Sequence, residues 1–327
     1  MSALDFLAIG DITTDAFIRL KDAEVHCTVD KEKCQLCMDF GTKIPYEFVE
    51  VVPAVGNSPN AAVAAARLGL RAGLLSNIGN DDNGKDCLAR LKEEKVATEF
   101  VRTHEGKRTN YHYVLWYGDE RTILIKHEEF DYELPDIGAP RFVYLSSLGE
   151  AGLSLHQKLA EHLMKHPDIK LAFQPGTFQI QAGHEKLKAM YERTYVFFAN
   201  VAEAQKILAT KESGVPALLS KLHEKGPEIA VITDGKRGAY MRYENENFFM
   251  PPYPDSAPPY DRTGAGDAFA STFVASLALG KTPLEALRWA PINSMSVVQQ
   301  VGAQKGLLSR KKIEELLKKA PADYKPE

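Results

Sequence analysis

Six short apolar runs punctuate this chain, and their rhythm constrains the fold more than any other feature. They are Phe6 to Ile9, Arg71 to Asn77, Phe142 to Ser146, Lys170 to Phe173, Tyr195 to Ala199 and Ile229 to Thr233. Runs of this length bounded by turn residues are strand-like, and helical periodicity separates most of them. Strands joined by crossover helices lie parallel, so the expectation is an α/β fold with a mostly parallel sheet covered on both faces. Two regions break the rhythm. Residues from Phe17 to Pro53 and from Thr109 to His127 alternate as β structure without intervening helices. A small β lid over the crevice accounts for both, and it would keep water from a reacting group. The division expected is a core of residues 1–16, 54–108 and 128–327 with a lid of residues 17–53 and 109–127.

At 327 residues the chain is long for one domain, but open α/β enzymes reach this size as one folded unit. A formal charge of −4 gives no reason to invoke nucleic acid or an acidic membrane surface. No apolar run approaches the roughly 20 residues that span a bilayer. The chain starts directly with a core strand, without a basic region or cleavage site, so a cytoplasmic location is expected.

The chemistry concentrates in Tyr260-Asp261-Arg262-Thr263-Gly264-Ala265-Gly266-Asp267-Ala268-Phe269. Phe269, Phe273, Val274 and Leu277 then recur at helical spacing, and Gly280 can close the helix. The Gly-Ala-Gly run lets backbone N–H groups converge on an anion at the positive end of a helix. Asp267 sits beside that cradle, where a carboxylate could take a proton from an attacking hydroxyl. Asp is equally a good helix cap, so a tight capped turn is the plainer alternative. An anion cradle with an adjacent base is the layout of a phosphoryl-transfer site.

This segment resembles the C-terminal signature of the PfkB, or ribokinase-like, family of carbohydrate and nucleoside kinases. The family pattern is Asp-Thr-Thr-Gly-Ala-Gly-Asp-Ala/Thr-Phe, and the chain departs from it at Arg262. Four further segments match in family order. Gly10-Asp11-Ile12-Thr13-Thr14-Asp15 follows the first strand, and the resemblance makes Asp15 a ligand of sugar hydroxyls. Val55-Gly56-Asn57-Ser58-Pro59-Asn60 precedes an alanine-rich helix, for which Ser58 and Pro59 supply cap and first-turn residues. It is similar to the N-terminal Gly-Gly-x-x-x-Asn signature, with Val55 replacing the first glycine, and implies substrate contacts from Gly56, Asn57 and Asn60. Asn200-Val201-Ala202-Glu203 resembles the Asn-x-x-Glu that organises Mg²⁺, water and phosphates, while its spacing is also that of a capping box. Thr233-Asp234-Gly235-Lys236-Arg237-Gly238 resembles a hairpin lying against the nucleotide, which implicates Thr233, Gly235 and Gly238.

The same resemblance places Asn293 beside adenine, on a helix expected over Ala290 to Gln300, and a monovalent cation such as K⁺ near Asp261 and Thr263. It implies a ribokinase-like fold, ATP and Mg²⁺ as cofactors, and a homodimer formed through the lid. Asp267 would be the base, and the amides of Gly264, Ala265, Gly266 and Asp267 the anion hole. The expected reaction is transfer of the γ-phosphoryl group of ATP to a hydroxyl of a small carbohydrate. A nucleoside kinase is the alternative, with Tyr46, Phe48 or Trp116 stacking on a base. A non-catalytic sugar-binding regulator is a second, although a sensor has no need of the base. Glu150 is a candidate hydroxyl ligand, Arg108 and Tyr111 could meet an acidic sugar, and Gln174-Pro175-Gly176 replaces the usual Asp-Pro-Asn. In the lid, Cys27, Cys34 and Cys37 with His26 are the ligand types of tetrahedral zinc, but reduced thiols or a redox pair fit the spacing as well.

Overall fold

The computed structural model describes residues 4–28, 34–118 and 120–327. The parts of the expected lid at 29–33 and 119 therefore lie outside the described residues. Among those described, the central element is a nine-stranded sheet. From one edge its strands are Glu246–Met250, Ala239–Tyr243, Ile229–Thr233, Thr194–Asn200, Lys170–Phe173, Phe142–Leu145, Phe6–Ile9, Ala72–Gly79 and Val101–His104. Pairing is parallel from Ile229–Thr233 through to Val101–His104, and antiparallel only between the two strands at the 239–250 edge and their neighbour.

Side-chain alternation explains why both faces are covered. Phe6, Ala8, Tyr144, Val196 and Val231 join one apolar cluster, with the alanines of helix Asn57–Arg67 and the residues of helix Ala265–Ala278. Leu7, Ile9, Val143, Phe197 and Ile232 point the other way, against Leu155 and Leu159 of helix Leu153–Lys165 and Leu218 and Leu222 of helix Val215–His223. A period of two with apolar residues at both phases is what a doubly covered sheet demands.

A separate four-stranded sheet forms the lid, in the order Tyr46–Val55, Thr13–Leu20, Asn110–Tyr117, Glu120–Leu124. It begins at Thr13 and ends its long strand at Val55, so residues expected in the core belong to it. Its middle pair is parallel, and the outer pairs are antiparallel. Phe17, Val114 and Trp116 pack inward with Val301. The other face leaves Tyr46, Val51, Tyr113 and Leu124 about half exposed.

The cysteines choose among the alternatives their spacing left open. Glu24–Cys27 and Cys34–Cys37 form a two-stranded hairpin in which Cys27 pairs across from Cys34, and the two sulfurs are joined as a disulfide. The bond uses both thiols, Cys37 is left free, and His26 contacts Glu24 instead. Among the described residues no group of three or more His, Cys, Asp or Glu is arranged to hold a metal. Cys87, by contrast, is a buried thiol on helix Asp82–Glu93, and burial pushes it up to about 11, which keeps it protonated and inert.

The C-terminal tail is also firmer than its composition suggests. Phe249 and Glu327 exchange backbone hydrogen bonds of 2.8 and 2.9 Å, and the buried Tyr324 donates its hydroxyl to the Arg288 carbonyl. No helix among the described residues is long and apolar enough to cross a membrane.

Candidate active site

Parallel strands deliver loops to one side of the sheet, and the polar residues gather there. Asp11, Ser147, Gln174, Asn200 and Thr233 all lie at or just beyond the carboxyl ends of sheet strands, and all line one cleft of about 420 Å³. That is the expected position for a ligand in an open α/β sheet. The lid supplies the opposite wall through Asp15, Phe17, His112 and Ile123. A second cleft of about 260 Å³ adjoins it, walled by Gly235, Gly238, Phe269, Pro291 and Met295 among others. Thr233, Arg262, Ala265 and Gly266 line both. The start of helix Ala265–Ala278 is therefore the wall the two clefts share.

Its backbone is shaped for an anion. Gly264 precedes the helix in the left-handed region at φ 76°, where L side chains are strained. A Cβ there would lie 2.2 Å from that of Ala303, so the loop also relies on glycine for close approach. A Cβ on Gly266 would meet nothing within 4 Å, so this turn has open space beside it. The first amides of a helix have no carbonyl one turn back, and the helix dipole makes them attractive to negative charge.

Asp267 stands in that first turn, half-buried, with both carboxylate oxygens gripped by side-chain amides. Asn57 donates to Oδ1 at 2.7 Å, Asn60 to Oδ2 at 2.9 Å, and Gln174 more weakly to Oδ1 at 3.3 Å. Two of the donors are themselves oriented. The Tyr144 hydroxyl donates to Gln174 Oε1, and Gln304 Nε2 donates to Asn60 Oδ1, so each amide must turn its NH₂ toward the carboxylate. Enclosure raises the Asp267 carboxyl above the ordinary aspartate value of 3.8, while Asn60, Asn57, Gln174 and the charge of Arg121 pull it back. Tyr144→Phe should free the Gln174 amide and let the Asp267 carboxyl rise further. The acid limb of the kcat/KM–pH profile should then move to higher pH, with roughly a two- to tenfold loss below neutrality. An unmoved limb would show that Tyr144 only fills space.

Lining the same cleft as Asp267, Asp15 and His112 stand opposite each other on adjacent lid strands. The Nδ1 of His112 approaches Asp15 Oδ1 at 3.4 Å, yet Asp15 Oδ1 and His112 Nε2 are buried without a hydrogen-bond partner. Buried polar atoms are seldom left so, and a polar ligand is one way to satisfy them. Asp11 differs. It accepts from Tyr132 Oη and the Gly149 amide, each at 2.7 Å, and meets His127 at 3.2 Å, so it holds the loops together.

Asn200 and Glu203 form the reciprocal cap of helix Val201–Ile207, through two hydrogen bonds of 2.9 Å. Both also line the first cleft, and burial, with a smaller push from Asp267, raises the Glu203 carboxyl. Asp261 is buried and committed: Thr263 donates to Oδ1 from its amide and hydroxyl, and Gly302 donates to Oδ2. It pins the 261–263 turn to the 302 loop. The hairpin residues Thr233, Gly235 and Gly238 reach the second cleft.

Two expected ligands are not at the clefts. Glu150 begins the short turn Glu150–Gly152 with its side chain exposed, because the chain after Phe142–Leu145 has already passed the crevice there. Asn293 faces inward from helix Pro283–Val297. It is fully buried, donates to Thr272 Oγ1 at 2.7 Å and accepts from the Leu308 amide, which makes it a core tether. Its neighbours Pro291 and Ser294 line the second cleft instead. Conversely, Gln174, His112, His127 and Arg121 line the first cleft without having been singled out as ligands.

The family model described as "pfkB family carbohydrate kinase" matches residues 49–310, which is most of the chain. Ribokinase of Bacillus subtilis (strain 168) is 30% identical over 278 residues, 82% of this chain and 88% of its own length. Among solved structures, a ribokinase from Giardia lamblia superposes with a TM-score of 0.81 over 97% of this chain and 99% of its own, at 19% identity. A nucleoside kinase from Methanocaldococcus jannaschii, an archaeal member of the ribokinase family, reaches 0.76 over 98% and 100%, at 17% identity. The fold is thus shared by proteins named for acceptors of different kinds, while the family match runs from before Gly56 to beyond Asp267. This chain belongs to the pfkB family of carbohydrate kinases, and it is a phosphotransferase.

Proposed function

We propose that the protein transfers the γ-phosphoryl group of ATP to a hydroxyl of a small sugar, in the manner of ribokinase. The observation that carries this is the placement of Asp267 at the amide-bearing wall between two clefts. The sugar occupies the first cleft, its hydroxyls satisfying Asp15 Oδ1 and His112 Nε2. The nucleotide occupies the second, against Gly235 and Gly238, so that its phosphates reach the start of helix Ala265–Ala278. Asp267 takes the hydroxyl proton as the oxygen bonds to the γ-phosphorus, and the bond to the β-phosphate oxygen breaks with its electron pair on ADP. The amides of Gly264, Ala265, Gly266 and Asp267 hold the charge on the phosphoryl oxygens.

Glu203 and Asn200 suit a role near Mg²⁺, because the cap engages only Glu203 Oε2 and hard oxygen ligands are what this ion takes through water. When bound, Mg²⁺ would neutralise triphosphate charge. The Asp261 oxygens are already spoken for, so K⁺ at this turn would rest on backbone carbonyls. A base-stacking acceptor finds less support: Tyr46, Phe48 and Trp116 do not line the first cleft, and Trp116 is lid core. ADP release measured across ribose, fructose, sugar acids, phosphosugars and adenosine tests the reading. No acceptor-dependent release with any of them would overturn it.

The half-exposed apolar face of the lid supports a homodimer through that sheet, in a cytoplasm that supplies ATP. Sedimentation should show a dimer that Val51→Glu with Tyr113→Glu converts to monomer. A wild-type monomer at micromolar concentration would remove the idea.

A further inference from the structure

Arg121 is a cation in the acceptor cleft that forms no salt bridge among the described residues, although its charge reaches Asp267. Strand pairing fixes where it faces. Arg121 stands opposite Trp116 and Ile123 opposite Val114, both of whose side chains pack inward, so Arg121 and Ile123 lie on the cleft side of the lid. Both line the first cleft. The Arg121 Nε is buried without a hydrogen-bond partner, and its only carboxylate influence in view is a longer-range one on Asp267, itself gripped by three amides.

The acids lining this cleft are already occupied or otherwise explained. Asp267 is held by three amides, Asp11 by Tyr132 and Gly149, and Glu203 by its helix cap, while Asp15 faces His112. A neutral sugar would leave the guanidinium edge desolvated and unpaired, which is costly, whereas an anion would satisfy it with charge-assisted hydrogen bonds. The donor's phosphates are the other source of negative charge, but Arg121 lines only the first cleft, whereas Arg262 lines both. Arg262 is thus the arginine placed for the nucleotide side, and Arg121 for the acceptor.

We propose that the acceptor is an anionic sugar whose carboxylate or phosphate monoester is received by Arg121. This rests on the kinase reading above for the word acceptor, and on the cleft alone for the anion. Specificity constants for 2-dehydro-3-deoxygluconate and fructose 6-phosphate, each against fructose, test it and separate the two anions. The wild-type protein should prefer one anionic member by about tenfold or more, and Arg121→Gln should lower that anionic-to-neutral ratio by about tenfold or more. Arg121→Lys, which keeps the charge but not the planar fork, should retain part of the preference. A wild-type preference for fructose overturns the proposal. So does a ratio that Arg121→Gln leaves intact while kcat falls on every acceptor, since that would put the guanidinium on the transferred phosphoryl group.

Calorimetric binding without ATP keeps the two readings apart. An anionic sugar that binds through Arg121 but is never phosphorylated sinks the kinase reading and leaves the anion site standing. Turnover with no Arg121-dependent preference does the reverse.

Discussion

Asp267→Asn should lower kcat by about 10²–10⁴ while the protein stays folded and still binds its acceptor. Asparagine has nearly the same shape but cannot take the hydroxyl proton. It also presents an NH₂ where Asn57, Asn60 and Gln174 now donate, so at least one of the three gives up its bond. Acceptor affinity should change little, because Asp15 and His112 line a different wall of the cleft. ADP formation in a single turnover, with calorimetric binding of the sugar alongside, separates these effects. Turnover near the wild-type level would remove Asp267 from the role of base.

The same carboxylate sets a pH dependence. A base works only when ionised, and enclosure places the Asp267 carboxyl above 3.8. Activity should therefore be lost as pH falls through that raised value, at a higher pH than an ordinary aspartate would give. The wild-type profile of kcat/KM reads this limb directly.

Gly264→Ala should damage both folding and catalysis. The residue sits at φ 76°, and the added methyl would lie 2.2 Å from the Ala303 Cβ and 2.6 Å from its Cα. Neither atom belongs to a flexible side chain, so the backbone must give. The strain and the clash together should cost on the order of 1–3 kcal/mol or more, and the amides would no longer converge. Gly266→Ala is the comparison, since its Cβ meets nothing within 4 Å. It should leave the melting temperature unchanged while placing a methyl in the phosphoryl seat. Equal melting temperatures for both variants would mean that the loop is not held against Ala303 as described.

The expected strands were legible because burial on both faces leaves an unmistakable signature, as in Phe6 to Ile9 with every side chain buried. Capping was harder. Ser58 and Pro59 mark a helix start by their identity, but the helix begins at Asn57 with Gly56 before it, and Ser58 Oγ is spent on the Ile9 carbonyl. A local rule cannot see a tertiary partner 49 residues away. For the same reason Asn293 suggested a ligand contact when its amide is a core tether, and Gln174 looked merely unusual when it donates to Asp267. Arg121 left one trace: it alternates with Ile123 and Ile125 as a half-buried strand does, and a charge in phase with apolar residues faces inward.

Gly56 is the sole residue between Val55, which ends a lid strand, and Asn57, which opens the helix whose Asn57 and Asn60 side chains clasp Asp267. Its φ of 118° is open to few other residues, and a side chain there would strike the Asp11 carbonyl at 2.8 Å. Roof and Asp267 are thus coupled through one joint, like a latch and its handle. Any tilt of the roof would be delivered straight to the grip on Asp267; if that carboxylate is the proposed base, readiness for proton removal is tied to the arrival of an acceptor.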